Sequence, residues 1–230
     1  MNEFSVSEAN DILKAYWGYD SFRPCQEDII GSALEGRDVL GILPTGGGKS
    51  VCFQVPALMS DGIALVVTPL IALMKDQVQN LRARGIKAAA IYAGMTQRAV
   101  METYDNCIYG HYKFLYVSPE RLGTAIFKEK LPFLDVSLIA VDESHCISQW
   151  GYDFRPSYLK IADIRKYLPG VPVLALTATA TPQVVDDIQD KLGFCTHNVF
   201  RKSFLRKNLA YIVRKTEDKP KQLLNILEKV

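Results

Sequence analysis

Short apolar or β-branched runs recur along the chain at residues 38–43, 63–68, 87–92, 114–117, 136–141 and 171–176. Between them lie longer stretches in which apolar positions follow helical spacing, most plainly at 70–84 and 181–192. Strand-like runs alternating with helical segments predict βαβ units. The runs are continuously apolar rather than alternating with polar residues, so both sheet faces should be covered by helices, as in a doubly wound, mostly parallel α/β sheet. Such sheets bind their ligands beyond the carboxyl ends of the strands. Polar, glycine-rich or titratable clusters follow five of the runs, at 44–50, 68–77, 118–122, 142–145 and 177–181, which predicts a single functional face.

The cluster after the first run reads Pro44-Thr45-Gly46-Gly47-Gly48-Lys49-Ser50 and leads into a helical stretch. Glycines let successive backbone amides converge on an anion, and a helix start adds the positive end of its dipole. In this P-loop pattern Lys49 would reach the β and γ phosphates of ATP, and the Ser50 hydroxyl would ligate Mg²⁺. Leu43 departs from the pattern, standing where G-x-x-x-x-G-K-[ST] has its first glycine. Further on, the apolar run ends in Asp142-Glu143-Ser144-His145. Opposite a P-loop, Asp142 would hold the metal through water while Glu143 orients and polarises the attacking water. His145 would bridge this box to neighbouring loops.

The P-loop paired with a D-E-x-H box resembles the superfamily 2 helicases, and matches spread from residue 16 to residue 209 narrow the resemblance to RecQ-type DNA helicases. That resemblance implies a RecA-like fold of the P-loop NTPase type, with ATP and Mg²⁺ as cofactors. Segment 17–27 resembles the family's base-recognition motif, which implies that Tyr19 and Arg23 sandwich adenine while Gln26 reads its edge; Cys25 stands where the family has a glycine. Segment 146–156 resembles the aromatic-rich loop that joins the ATP site to single-stranded DNA. It implies contacts from Gln149, stacking faces from Trp150 and Phe154, and charge from Arg155. Tyr152 takes a position where relatives often have histidine. In 68–77, which resembles the segment gripping the DNA backbone, Lys75 is the implied phosphate partner and Met74 an apolar contact. Arg121 of 118–122 either contacts DNA or braces Glu120. In 176–181, which resembles the motif coupling hydrolysis to movement, the Thr177 and Thr179 hydroxyls would bond across to the acidic box.

Segment 203–209 resembles the motif opening the second lobe of these helicases, with 208–214 as its first strand. The implied division is a first RecA-like lobe over 1–205 and the start of a second over 206–230. By resemblance the parent protein unwinds duplex DNA with a single-stranded tail in the 3′ to 5′ direction, in repair and recombination. Its partners are single-stranded and partly duplex DNA and its own second lobe. The 230 residues alone, without the second lobe's arginine finger, should bind Mg·ATP with little turnover.

Composition adds limits rather than identity. With 48% hydrophobic and 23% charged residues the chain reads as globular, neither disordered nor fibrous. No apolar run approaches the roughly 18 residues of a membrane span, and the opening residues are acidic, so the expected location is cytoplasmic, with the nucleoid if bacterial. The five cysteines are scattered and predict small buried hydrophobes, not a disulfide framework or a zinc site. The net charge of +2 conceals an asymmetry: from Arg201 onward nine basic residues face three acidic ones, leaving 18 against 22 before. That tail suits a polyanionic partner or a cut through a larger protein. Two other readings stand beside the motor: a nucleotide- or DNA-binding module without unwinding, and an RNA helicase. The latter fits less well, since neither DESH nor the loop 149–156 resembles the D-E-A-D proteins.

Overall fold

The computed structural model describes residues 5–203, 209–210, 212–213 and 215–228. Among the described residues, seven strands, β1 (Val39–Ile42), β2 (Ile63–Val67), β3 (Ala88–Ile91), β4 (Phe114–Val117), β5 (Val136–Val141), β6 (Val173–Thr177) and β7 (Val199–Arg201), form one sheet in the order β3-β4-β2-β5-β6-β1-β7. Every pairing among them is parallel. The helices are α1 (Val6–Trp17), α2 (Gln26–Leu34), α3 (Lys49–Met59), α4 (Ile71–Ala83), α5 (Gln97–Tyr109), α6 (Ala125–Lys130), α7 (Lys160–Arg165), α8 (Pro182–Lys191) and α9 (Lys219–Leu227).

Successive strand residues point to opposite faces, and here both faces are core. Leu40, Ile42, Leu65, Val67, Ile139 and Val141 pack with Tyr104, Phe127, Ile161 and Ile188 from α5 to α8. Val39, Ala64, Val66, Leu138 and Leu174 pack on the other side with Ile29, Phe53, Met74 and Leu81 from α2 to α4. This two-sided burial is why the runs read as continuous apolar stretches. Gly41 is required by it: a Cβ there would lie 2.8 Å from the Leu176 side chain and 3.0 Å from Ile29. A third cluster seats Ala9 and Leu13 of α1 on Ile30, Val51 and Val55, with Trp17 and Phe22 leaning on it, and so places the turn 18–25 beside the P-loop.

The structure differs from the pattern in several places. β6 runs to Thr177 and starts after Pro172, which has no N–H to give a ladder. β7 was not expected, since its three residues are only partly covered. Tertiary bonds make it a strand: the Leu40 amide donates to the Asn198 carbonyl at 2.9 Å, and Asn198 Nδ2 donates to Ser32 Oγ at 2.8 Å and to the Asp38 carbonyl at 3.0 Å. Cys52, Cys107 and Cys146 are buried, and burial pushes their thiols up to about 12, but Cys25 is half-buried and Cys195 exposed, which corrects the expectation for those two. Of the expected strand over 208–214, residues 208, 211 and 214 lie outside the described set, and residues 209, 210, 212 and 213 are in no strand. Among the described residues no helix is long and apolar enough to cross a membrane.

Candidate nucleotide site

β1 runs directly into the glycine-rich loop. Gly46 and Gly48 take φ values of 74° and 81°, in the left-handed region that other residues enter at a cost. At Gly47 a Cβ would sit 2.6 Å from the Pro44 carbonyl oxygen, which accepts the Gly47 amide at 2.8 Å. Gly48 is the N-cap of α3 and no side chain caps the helix, so the positive end of its dipole opens onto the loop. Leu43, at the departure from the motif, is a fully buried core residue on the α2–α4 face.

A cavity of about 480 Å³ lies in front of this loop, lined among others by Tyr19, Arg23, Gln26, Thr45, Lys49, Ser50, Asp142 and Glu143. That volume is in the range of small-molecule sites. Packing of α1 and the sheet topology therefore bring together the predicted base-contacting residues of the turn before α2, the phosphate residues that follow β1 and the metal residues that follow β5. Arg23 donates from its guanidinium to the Gly46 carbonyl. Gln26, only 3% exposed, has both ends of its amide engaged: Oε1 accepts from the Arg23 amide at 2.8 Å, and Nε2 donates to the Gly48 carbonyl at 3.0 Å. The reading edge assigned to Gln26 is thus, in this structure, a brace between the turn and the P-loop. Cys25 has φ 71°, a left-handed conformation that the glycine expected there would take without strain.

At the acidic box, Glu143 adopts φ 48°, ψ 45°, a left-handed conformation that costs a non-glycine residue on the order of 1–2 kcal/mol. It turns the chain sharply off β5, and Asp142 Oδ1 accepts the Glu143 amide at 3.0 Å. The Tyr158 hydroxyl donates to the Asp142 carbonyl at 2.9 Å. Burial first, and then the Glu143 charge, push the Asp142 carboxyl up to about 6, while Lys49 pulls it down. His145 is buried, which holds its pKa below the ordinary value, and its Nδ1 lies 2.9 Å from Thr177 Oγ1 and 3.4 Å from Glu143 Oε2. Thr177 gives its own proton to the Thr179 carbonyl at 3.1 Å, so the tautomer that satisfies both bonds carries the imidazole proton on Nδ1. Thr177 thereby bonds across to the box as expected. Thr179 makes no such bond among those described: it is exposed, and its carbonyl accepts from Thr177 rather than from the box.

Three participants carried no motif signal. Gln77 Nε2 donates to Ser50 Oγ at 2.9 Å, Gln54 Nε2 donates to Gln77 Oε1 at 3.0 Å, and Tyr158 holds the Asp142 main chain. Only the place of Gln77 as the last residue of segment 68–77 could have pointed to it.

The predicted nucleic-acid residues divide. Gln149 and Trp150 are exposed, Trp150 at 66%. Phe154 is half-buried with Lys191 Nζ 5.8 Å from its ring centre, and Arg155 pairs with Asp153 at 2.9 Å. The Tyr152 ring stacks on His145 with centroids 4.5 Å apart, linking this loop to the box. Lys75 is exposed, its Nζ 4.8 Å above the Tyr92 ring centre. Met74 is not an available contact: it is completely buried, anchoring α4 to the sheet, because the inner face of that helix falls on 74, 78 and 81. Arg121 does not brace Glu120; its Nε and Nη2 donate to the Tyr92 carbonyl at 3.1 and 2.8 Å, while Glu120 accepts from Ser157 at 3.3 Å.

An all-parallel sheet with an open helix N-terminus, a glycine cradle and a strand-end carboxylate pair in one cavity defines a RecA-like P-loop lobe. Residues 23–188 match the DEAD/DEAH box helicase family. The chain is 46% identical, over 93% of its length, to the ATP-dependent DNA helicase RecQ of Bacillus subtilis, and 42% identical, over 94%, to that of Haemophilus influenzae. It spans 36% and 35% of those relatives' own lengths. A DUF1998 helicase, MrfA, solved bound to DNA, shares the fold with a TM-score of 0.68 at 19% identity, over 87% of this chain and 30% of that one. The chain therefore belongs to the DEAD/DEAH box helicase family, and its sequence is of the RecQ type.

Proposed function

We propose that residues 1–205 are the ATP-binding first motor lobe of a RecQ-type DNA helicase and that 206–230 open its second lobe. One observation carries this reading: the uncapped start of α3 and its glycine cradle face Asp142 and Glu143 across a single cavity. The residues suit a magnesium nucleotide. The loop amides and Lys49 would hold the phosphates, Tyr19 and Arg23 would flank the base, and Gln26 would exchange its brace for the base edge. Ser50 and Asp142 would hold Mg²⁺, which when bound neutralises phosphate charge and orients the transferring group. Glu143 would position the attacking water and take its proton on the carboxylate, with His145 and Thr177 reporting its state to the neighbouring loop.

On this reading Gln149, Trp150, Phe154, Arg155 and Lys75 face single-stranded or partly duplex DNA. Unpaired bases stacking on the exposed indole contribute about 1–3 kcal/mol each. The parent protein would move 3′ to 5′ along one strand in DNA repair and recombination, in the cytoplasm or with the nucleoid. The 230 residues alone would bind ATP and hydrolyse it poorly, because an arginine finger from the second lobe is worth on the order of 10³–10⁵ in kcat.

Nucleotide titration and steady-state hydrolysis on this chain with Mg²⁺, alone and with single-stranded DNA or RNA, test the reading. Saturable binding that Lys49→Ala abolishes, with slow turnover raised more by DNA than by RNA, is the expected result. Absence of nucleotide binding would overturn the proposal, and stronger stimulation by RNA would favour an RNA helicase instead.

A further inference from the structure

Three side chains connect the metal end of the cavity to α4. Gln77 Nε2 donates to Ser50 Oγ at 2.9 Å, and Gln77 Oε1 accepts from Gln54 Nε2 at 3.0 Å. The second bond decides which end of the Gln77 amide faces Ser50: its oxygen is occupied by Gln54, so its NH₂ points at the hydroxyl. Gln54 is 3% exposed, and its Nε2 also lies 3.4 Å from the Tyr116 hydroxyl on β4. A relay of buried and half-buried polar groups, each fixing the next, is more rigid than any single bond in it.

A serine hydroxyl has two lone pairs and one proton. Gln77 occupies one lone pair, which leaves the other free for a divalent cation and the proton free for a phosphate oxygen. Gln77 is in turn held in place by its helix, because Met74, Val78 and Leu81 bury the inner face of α4 against the sheet. Ser50 sits in the first turn of α3, where a hydroxyl left alone would rotate among its staggered positions.

We propose that Gln77 is a positioning residue: through it, α4 holds the Ser50 hydroxyl ready for a divalent cation. The proposal rests on the nucleotide-site reading above, so the experiment separates the two. A non-hydrolysable ATP analogue is titrated against the 230-residue chain in EDTA and across a Mg²⁺ series. Gln77→Met keeps the side-chain length and removes the donor. It should raise the Mg²⁺ needed for half-maximal tightening about tenfold, the low end of what losing a residue behind a metal ligand costs. Affinity in EDTA should stay the same, whereas a merely structural role would weaken it. Ser50→Ala should raise the Mg²⁺ requirement at least as far, and adding Gln77→Met to Ser50→Ala should change nothing more. Gln54→Met, which releases the Gln77 oxygen, should shift the requirement in the same direction and serves if Gln77→Met does not fold. An unchanged Mg²⁺ requirement in the folded variants, or full additivity with Ser50→Ala, overturns the proposal. Lack of any Mg²⁺ effect in the unaltered chain overturns the nucleotide-site reading, and this inference with it.

Discussion

Asp142 and Glu143 place two carboxylates side by side where β5 leaves the sheet, one of them half-buried and the other in a strained backbone conformation. Without a cation this arrangement costs stability, and the direction with pH follows from it. The folded chain keeps a proton on Asp142 up to about pH 6, whereas the unfolded chain releases it near 3.8. This group's contribution to stability therefore falls as pH rises through that window and is fully unfavourable above it. Asp142→Asn should raise the stability of the metal-free chain at pH 7.5, by on the order of 2 kcal/mol, and the gain should shrink toward pH 5. Thermal unfolding in EDTA at the two pH values measures this; a destabilised variant would mean that the carboxylate is favourably paired in the folded state. The same substitution should remove Mg²⁺-dependent tightening of nucleotide, the expected trade of function against stability at a charged site.

At the scale of elements, α4 and the loop 146–156 show how one segment can hold residues of opposite roles. Met74 and Lys75 are neighbours in sequence, yet the helical period sends the first into the core and the second to solvent above Tyr92. Trp150 is exposed in the loop beside Gly151, which packs so closely that a Cβ there would lie 2.8 Å from the His145 carbonyl oxygen. Trp150→Ala should leave the melting temperature and nucleotide affinity unchanged and weaken single-stranded DNA binding by about 1–3 kcal/mol. A marked drop in melting temperature would instead assign the indole to packing. The segments at all these positions could be read from motif and pattern, but the division of labour inside them could not. Helical phase separates Met74 from Lys75 only once the face of α4 that meets the sheet is known. For Arg121 the deciding partner, the Tyr92 carbonyl, comes from a different strand connection altogether.

At the scale of the whole molecule, the sheet order sets β5, β6 and β1 side by side, so the P-loop, the acidic box and the 176–181 segment leave it at adjacent positions. If a second lobe completes the site, a chain extended to the length of its RecQ relatives should hydrolyse ATP at least about 10³-fold faster with DNA than these 230 residues do. Single-turnover hydrolysis on both chains would show it, and equal rates would mean that no group from outside the lobe completes the chemistry.

What the sequence determined by itself is what local chemistry enforces. Continuous apolar runs require a sheet covered on both faces, Gly46 to Gly48 require a loop that other residues enter only with strain, and the order of P-loop and DESH names the chemistry and the family. Only the tertiary structure decided which polar groups are already spent. Gln26 on the P-loop carbonyls, Thr177 on His145, Gln77 on Ser50 and the three residues of β7 against β1 all depend on partners far away in the chain. A hydrogen bond satisfies a group without regard to sequence distance, so its partner appears only when the sheet has brought the strand ends together.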